Sequence, residues 1–147
     1  MKTLSKIVVV AMITLVVVSC TKEIVVKECP KRHAVSIKVN ALPSGIDLFS
    51  NPDLRCDISP YASQYWAYYS NSVDNVSGLP VTIYFPEPVL FSQEEWSLRL
   101  VDEDVGADDE IYYSDFNPYS EVSNEGVISF QLEDGTIAFE LNFTESE

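Results

Sequence analysis

The residues best suited to chemistry are a dense group of carboxylates in the second half of the chain. Residues 102–110 carry six acidic side chains in nine positions, directly after the alternating apolar run 96–101. Calcium (Ca2+) is a hard cation that takes six to eight oxygen ligands at about 2.3–2.6 Å, and carboxylates supply them. Asp102 and Asp104 stand two apart, so both can point to one side of an extended segment. The group is therefore either part of a calcium site or a solvated turn on an acidic surface.

A second acidic segment, residues 45–55, places Asp47 and Asp53 six residues apart. One loop rarely supplies six oxygens, but two loops at the same end of a sheet sandwich can, because the strands hold their ends together. Gly106 lets the chain turn, so Asp108 or Asp109 can return towards the same ion.

The elements around these loops are predicted to be strands. Val35, Ile37 and Val39 alternate with polar residues, and this period of two indicates a half-buried strand. The same reasoning predicts further strands at 54–59, 65–70, 81–85, 96–101, 127–132 and 136–143, the last two joined by a tight turn at Asp134-Gly135. No stretch shows sustained helical periodicity. The fold class predicted is all-β, an antiparallel β-sandwich.

These segments together resemble a C2 domain, the calcium-dependent phospholipid-binding sandwich. The segments that carry the resemblance are "VSIKVNALP", "DLFSNPD", "LPVTIYFPEPV", "EEWSLRLVDEDVGADDEIY" and "GTIAFELNF". The resemblance implies an eight-stranded, C2-like sandwich that binds calcium, and phospholipid through its calcium loops. The ligands that it implies are Asp47, Asp53, Asp102, Asp104 and Asp109.

The chain departs from the family's pattern at three places. Asp109 lies five residues beyond Asp104, one short of the usual spacing, so Glu110 fits by count and Asp109 by its neighbours. Arg55 follows Leu54 where the family often has Pro-Tyr, and Tyr112 stands where a glycine is usual.

The N-terminus has the pattern of an export signal. A basic head is followed by the apolar run 7–18 and by Ser19-Cys20, a pattern typical of a secretory signal and too short for a membrane-spanning helix. Residues 17–20 resemble a bacterial lipobox, which implies cleavage before Cys20 and lipid attached to it; an ordinary signal peptide is the alternative. The predicted division is a lipoprotein signal at 1–19, a lipidated tether at 20–33 and the sandwich at 34–147.

Charge and composition restrict the function. After removal of residues 1–19, seven basic side chains face 23 acidic ones, a formal charge of −16. Such a charge argues against nucleic acid as a partner. The single histidine, His33, lies in the predicted tether, so no Ser/His or Cys/His catalytic set is available within the domain. The protein is predicted not to be an enzyme.

Two further groups leave alternatives open. Tyr61, Tyr65, Trp66, Tyr68 and Tyr69 cluster within nine residues; every second one is predicted to fill the core, and a sugar- or peptide-binding face is the alternative. Cys29 and Cys56 either pair or stay free, because an oxidising envelope permits a disulfide.

The sequence thus predicts a lipoprotein of the bacterial cell envelope, anchored through Cys20, with the outer membrane as its predicted location and with a non-enzymatic calcium-binding domain. Phospholipid or an envelope protein are the predicted partners. The alternative is a calcium-free structural or protein-interaction sandwich.

Overall fold

The computed structural model describes residues 29–46, 51–103, 108–120 and 126–146. These residues form two four-stranded antiparallel sheets, with the strand orders β4-β1-β8-β7 and β3-β2-β5-β6. The strands are β1 (Lys31–Ala41), β2 (Leu54–Pro60), β3 (Tyr68–Tyr69), β4 (Val81–Leu90), β5 (Trp96–Asp102), β6 (Asp109–Phe116), β7 (Val127–Gln131) and β8 (Ala138–Ser146). The predicted all-β, eight-stranded antiparallel sandwich is confirmed.

The core lies between the sheets and follows the alternation seen in the sequence. Leu54, Cys56 and Ile58 of β2 are fully buried, so the residues between them face outwards from the same sheet. Aromatic rings join the two sheets: Phe116 meets Phe130 at 5.5 Å between ring centroids, edge to face. Such ring pairs add stabilisation beyond their buried area, and they hold the sheets at a fixed separation.

The connection between β7 and β8 is the tight hairpin that the sequence predicts. Gly135 has a φ of +73°, a left-handed conformation that glycine adopts without steric cost. The backbone N–H of Gly135 donates to the carbonyl of Leu132 at 2.9 Å. The Asp134 carboxylate also accepts two hydrogen bonds from Thr136, which lower the pKa of Asp134.

Strand β4 runs further than predicted. The prolines at 86 and 88 do not end it, because β4 is the edge strand of its sheet. An edge strand tolerates residues that cannot donate a backbone hydrogen bond. The pairing with β1 also shifts register there, since Ala34 lies opposite Val89 and Ser36 lies opposite Tyr84. The prolines fall within this bulge and leave the rest of the ladder intact.

Two boundaries differ from the sequence-based prediction. Strand β1 begins at Lys31, so residues 31–33 of the predicted tether belong to the sandwich, and His33 pairs with Thr144 of β8. Strand β6 covers residues that the sequence pattern assigns to the acidic loop. The strand is hard to recognise in the sequence, because its residues before the last position are exposed or half-buried and show little apolar alternation.

The two described cysteines are both free. Cys29 is exposed, whereas Cys56 is fully buried in the core, so no disulfide joins them. Burial, assisted by the charge of neighbouring Asp57, raises the pKa of the Cys56 thiol well above its usual value. Within the described residues, no helix is long and apolar enough to cross a membrane.

Candidate functional site

The described parts of three connections meet at one end of the sandwich, which we call the loop end: residues 42–46 with 51–53, residues 70–80, and residues 103 and 108. Leu54 pairs with Asp102 across β2 and β5, and Asp102 pairs with Asp109 across β5 and β6. The connection 70–80 reaches the same end, because the N–H of Val76 donates to the carbonyl of Pro52 at 2.9 Å. The strand ends therefore bring together the two acidic segments that the sequence singles out.

Three of the five predicted calcium ligands lie at the loop end. Asp53, Asp102 and Asp109 stand next to one another at the ends of three adjacent strands. Asp102 is buried, exposing 3 % of its surface, whereas Asp109 is exposed and Asp53 is half-buried. Asp47 and Asp104 lie outside the described residues, as does the predicted lipidation site, Cys20.

The carboxylates of Asp102 and Asp53 also bind backbone across the loop end. The backbone N–H of Asp53 donates to Asp102 Oδ1 at 2.7 Å. The N–H of Asn75 donates to Asp53 Oδ1 at 2.6 Å. These bonds explain why a carboxylate can be buried at position 102, since buried charge requires charge-assisted hydrogen bonds. They also join the three connections through side chains.

The described aspartates fit calcium in ligand type but are incomplete in number. Carboxylate oxygens are the ligands that calcium prefers. Among the residues that the structure describes, however, no group of three or more His, Cys, Asp or Glu side chains is placed to hold a metal ion. A calcium site at this end therefore needs oxygens from beyond the described set, and Asp47 and Asp104 are the predicted donors.

Arg55 binds both flanks of the segment 104–107. Its Nη1 lies 2.5 Å from Glu103 Oε1, and its Nη2 lies 2.5 Å from Asp108 Oδ2. Its Nε donates to Asp57 at 2.8 Å. The hydrogen bond to Asp57 is the largest of several contributions that raise the pKa of Arg55, against the opposing effect of burial. Arg55 thus neutralises part of the acidic segment from within the protein.

In the sequence, Arg55 stands out only as a departure from the C2 pattern. Its role follows from contacts 48 and 53 residues away, which no local pattern reveals. The available signal was the alternation in β2, where Arg55 and Asp57 occupy outward positions between apolar ones.

Asp57 is a fully buried carboxylate on the outer face of the sheet, the side turned away from the other sheet. Arg99 joins Arg55 in binding it, with its Nη2 at 2.7 Å and its Nε at 2.8 Å from Asp57 Oδ2. Two aromatic rings cover the guanidiniums, Tyr69 at 5.5 Å from Arg55 and Trp66 at 4.9 Å from Arg99. These groups shield the Asp57 carboxylate from water, whereas the side chains of Arg55 and Arg99 keep 13 % and 20 % of their surface exposed.

The aromatic cluster is therefore not in the core, and the prediction that every second ring fills it is wrong. Tyr61, Tyr65, Tyr68 and Tyr69 are all exposed, and Trp66 is half-buried. Only Tyr68–Tyr69 forms a strand. The space between the sheets is already filled by rings from other strands, so these side chains cover the outer face and one edge of the sheet.

A groove of about 380 Å³ runs beside these rings on the outer face, at the end of the strands opposite the loop end. We call it the aromatic groove. Its lining residues are Ser59, Tyr61, Ala62, Ser63, Gln64, Tyr65, Trp66, Ser97 and Tyr113.

A hydrogen-bonded group forms one side of the aromatic groove. The Ser97 hydroxyl donates to Asp115 Oδ1 at 2.6 Å, and the Tyr113 hydroxyl donates to the same oxygen at 2.7 Å. The contact with Ser97 acts to lower the pKa of Tyr113, but the hydrogen bond and charge of Asp115, together with desolvation, outweigh it and raise that pKa. The Tyr113 hydroxyl is held in place by its contacts with Ser97 and Asp115.

The described part of the chain is similar to solved C2-domain structures. Human group IVD cytosolic phospholipase A2, solved with methyl gamma-linolenyl fluorophosphonate and terbium chloride, aligns with a TM-score of 0.54 and 16 % identity, covering 82 % of this chain and 18 % of the phospholipase. A C2 domain of plant extended synaptotagmin 1 aligns at 0.52 and 16 %, covering 82 % of this chain and 98 % of that domain. A further C2 domain aligns at 0.51 and 15 %, covering 81 % and 100 %.

These likenesses show the fold, and they confirm the C2-like sandwich expected from the sequence. This chain spans less than a fifth of the phospholipase. Neither a protein-family model nor a curated protein matches this chain.

Proposed function

We propose that this chain is a non-enzymatic, C2-like calcium-binding module of the bacterial cell envelope. The observation that carries the proposal is the placement of Asp53, Asp102 and Asp109 at the ends of three adjacent strands. The two acidic segments are far apart in the sequence, and the fold brings them to one end, as a site built from two loops requires.

In this proposal Asp102 is the central ligand, because it lies between the other two strand ends and is buried. Asp53 and Asp109 flank it, and Asp47 and Asp104 supply further oxygens. Bound calcium contributes positive charge and open coordination positions for a phosphate or carboxylate. The backbone N–H groups of Asp53 and Asn75 hold the connections in place, because they donate hydrogen bonds to the carboxylates of Asp102 and Asp53.

Phospholipid is the ligand that we propose for the calcium-loaded loop end. A groove of about 400 Å³ lies there, lined in part by Leu42, Ile46, Val76 and Leu79. Apolar side chains beside a cationic centre suit a lipid, whose head group is anionic and whose acyl chains are apolar. An envelope protein with a surface carboxylate is the other partner that this chemistry accepts.

The full chain, purified in mild detergent, provides the test. Terbium stands in for calcium and gives a luminescence signal; it was also present with the phospholipase structure. We expect calcium to displace terbium and to raise the melting temperature, with a Kd no weaker than about 10⁻³ M. Asp102→Asn should abolish both responses, because it removes charge and keeps the side-chain shape.

Glu94→Gln is the matched control, since Glu94 is an exposed acid that lies outside the loop end, in the connection between β4 and β5. Its terbium signal and calcium-dependent melting should equal those of the wild type. An absence of any response up to millimolar calcium in the wild type would reject the calcium proposal.

We also propose that Cys20 carries the lipid anchor and that the domain faces the periplasm or the cell surface from the outer membrane. The support is the basic head, apolar run and Val-Val-Ser-Cys pattern of residues 1–20. Labelled palmitate should be incorporated into the wild-type chain in bacteria and not into Cys20→Ala. Release of the wild-type chain into the soluble periplasmic fraction would contradict the anchor.

A calcium-free interaction module is the second candidate, and Arg55 is the observation that favours it. Its guanidinium already binds the flanking residues Glu103 and Asp108, so part of the repulsion that calcium would relieve is neutralised internally. Under this function the melting temperature is insensitive to calcium. Arg55→Gln should then destabilise the protein to the same extent with and without calcium, whereas calcium should reduce the loss if the first proposal holds.

A further inference from the structure

The aromatic groove has the features of a ligand site that is separate from the loop end. Its Ser59 and Ser97 face each other in the pairing of β2 and β5, five residues from the pairing of Leu54 with Asp102. A volume of about 380 Å³ falls within the range of roughly 300–1,000 Å³ found for small-ligand sites. We propose that the groove binds a neutral carbohydrate.

The rings supply the apolar surface. Tyr65 exposes 78 % of its surface, and Tyr61 is also exposed beside it. Trp66 is held in place by Arg99 on one side and by the edge of Tyr113, at 6.2 Å between ring centroids. A sugar ring presents a face of C–H groups that packs on such aromatic faces, and rigid Tyr and Trp side chains lose little conformational entropy on binding.

The groove also presents polar groups for hydroxyls. Ser59 exposes only 4 % of its surface, and its side chain lines the groove. The hydroxyls of Ser97 and Tyr113 also line the groove, and both are held in place by hydrogen bonds to Asp115 Oδ1. The Gln64 amide, which also lines the groove, adds a donor and an acceptor.

The charges indicate that the ligand is neutral. The nearest cations, Arg55 and Arg99, are bound by Asp57 and Asp108 and are covered by rings. Asp115 places a carboxylate beside the groove, bound to the hydroxyls of Ser97 and Tyr113, and its negative charge repels phosphate and carboxylate groups. The formal charge of −14 for the whole chain has the same effect.

A peptide fits the same groove less well. Peptides that bind along sheets pair with the backbone of an exposed edge strand, whereas the groove is lined by side chains from the connection after β2 and from the outer face of β2, β5 and β6. The polar groups lining the groove are side-chain hydroxyls and an amide, which match the closely spaced hydroxyls of a sugar.

The backbone turn at residues 60–63 also shapes one wall of the groove. Ala62 has a φ of +58°, a left-handed conformation that L-residues other than asparagine and aspartate rarely adopt. It is the third residue of a turn closed by the N–H of Ser63, which donates to the carbonyl of Pro60 at 3.1 Å. This turn carries Tyr61 into the lining of the groove.

Native affinity electrophoresis of the full chain tests the proposal, because the strongly acidic protein migrates readily and a neutral polysaccharide in the gel does not move. The gels contain hydroxyethyl cellulose, xyloglucan, galactomannan, soluble starch or laminarin, and the detergent has no sugar head group. We expect at least one of these to retard the wild-type chain. Tyr65→Ala should weaken that binding by about tenfold or more.

Tyr84→Ala is the matched control, since Tyr84 is an exposed tyrosine on the other sheet, and it should bind as the wild type does. Asp102→Asn should also bind normally, with or without calcium, which separates this site from the proposed calcium function. Trp66→Ala is a second variant whose melting temperature must be recorded, because Trp66 also covers Arg99.

Three results would overturn the proposal. The first is no retardation by any neutral polysaccharide. The second is retardation that persists in folded Tyr65→Ala and Trp66→Ala. The third is retardation by acidic polygalacturonate alone, or quenching of tryptophan fluorescence by a proline-rich peptide without any response to sugar.

Discussion

Replacing Asp57 by asparagine should lower the free energy of unfolding by about 3 kcal/mol. Asp57 is fully buried, and its two oxygens accept hydrogen bonds from Arg55 and Arg99 at 2.8 Å each. Removing one partner of a buried ion pair costs about 3–5 kcal/mol, because the remaining charge has lost its compensation. Arg55 keeps Glu103 and Asp108 as partners, so we expect the lower end of that range.

Urea unfolding followed by tryptophan fluorescence measures this loss directly. Domains have free energies of unfolding of about 5–15 kcal/mol, so the variant remains folded but loses a large share of its stability. For a domain of this size the melting temperature changes by roughly 4 °C per kcal/mol, which gives a decrease of about 12 °C.

A matched control and a double-mutant cycle separate the ion cluster from general effects of charge. Asp74→Asn alters an exposed carboxylate and should change stability by less than about 0.5 kcal/mol. In the cycle, Arg99→Met should cost much less in the Asp57→Asn background than in the wild type. A loss below about 1 kcal/mol for Asp57→Asn would refute the reasoning, since it would equal the value of a solvent-screened surface pair.

Three further predictions concern the core and the turns. Iodoacetamide at pH 8 should modify Cys29 and reach Cys56 only in urea, as counted by mass spectrometry, and a Cys56 that reacts in the native protein would contradict its burial. Because the pKa of the Cys56 thiol is raised in the folded state, its contribution to stability is constant below about pH 9 and falls as the pH rises further. Gly126→Ala should lower the free energy of unfolding in urea by about 1–2 kcal/mol, because its φ is +75° and the added Cβ would lie 3.0 Å from a carbonyl oxygen of β8. Gly78→Ala is the control and should be near neutral, because there is open space around Gly78. Equal losses for both variants would contradict the role of the backbone conformation and the close contact at Gly126. Phe130→Ala should cost about 3–5 kcal/mol, because Phe130 packs on three other rings between the sheets; a loss near 1 kcal/mol would indicate that the core collapses around the gap.

The fold class follows from the sequence because it depends on local patterns. An apolar residue at every second position predicts a strand with one buried face, and this pattern located β1, β2, β5 and the β7–β8 hairpin. Asp134-Gly135 predicts the tight turn because it depends on the backbone freedom of one residue, Gly135. The order of those segments also carried the C2-like resemblance.

The placement of Asp53, Asp102 and Asp109 was partly available from the sequence. Each aspartate directly precedes, ends or begins a strand, and strands of one sheet bring their ends together. The burial of Asp102 was not available, because it depends on the backbone N–H of Asp53, donated from a different strand end. The local pattern predicted that these aspartates lie near one another, whereas their hydrogen bonds depend on the tertiary structure.

Which residues fill the core and which cover a surface was decided only by tertiary structure. Tyr61, Tyr65 and Trp66 are apolar enough for a core, and nothing in their own segment excludes it. They lie outside because Phe116, Phe130 and Phe139 already fill the space between the sheets. The ring of Trp66 packs instead on the guanidinium of Arg99.

The ion cluster shows the same division. The alternation in β2 determined that Arg55 and Asp57 point outwards. Their partners, Arg99, Glu103 and Asp108, are 42 to 53 residues distant in sequence. Alternation is a property of one strand, whereas an ion pair needs the register between strands, and that register exists only once the sheet has formed.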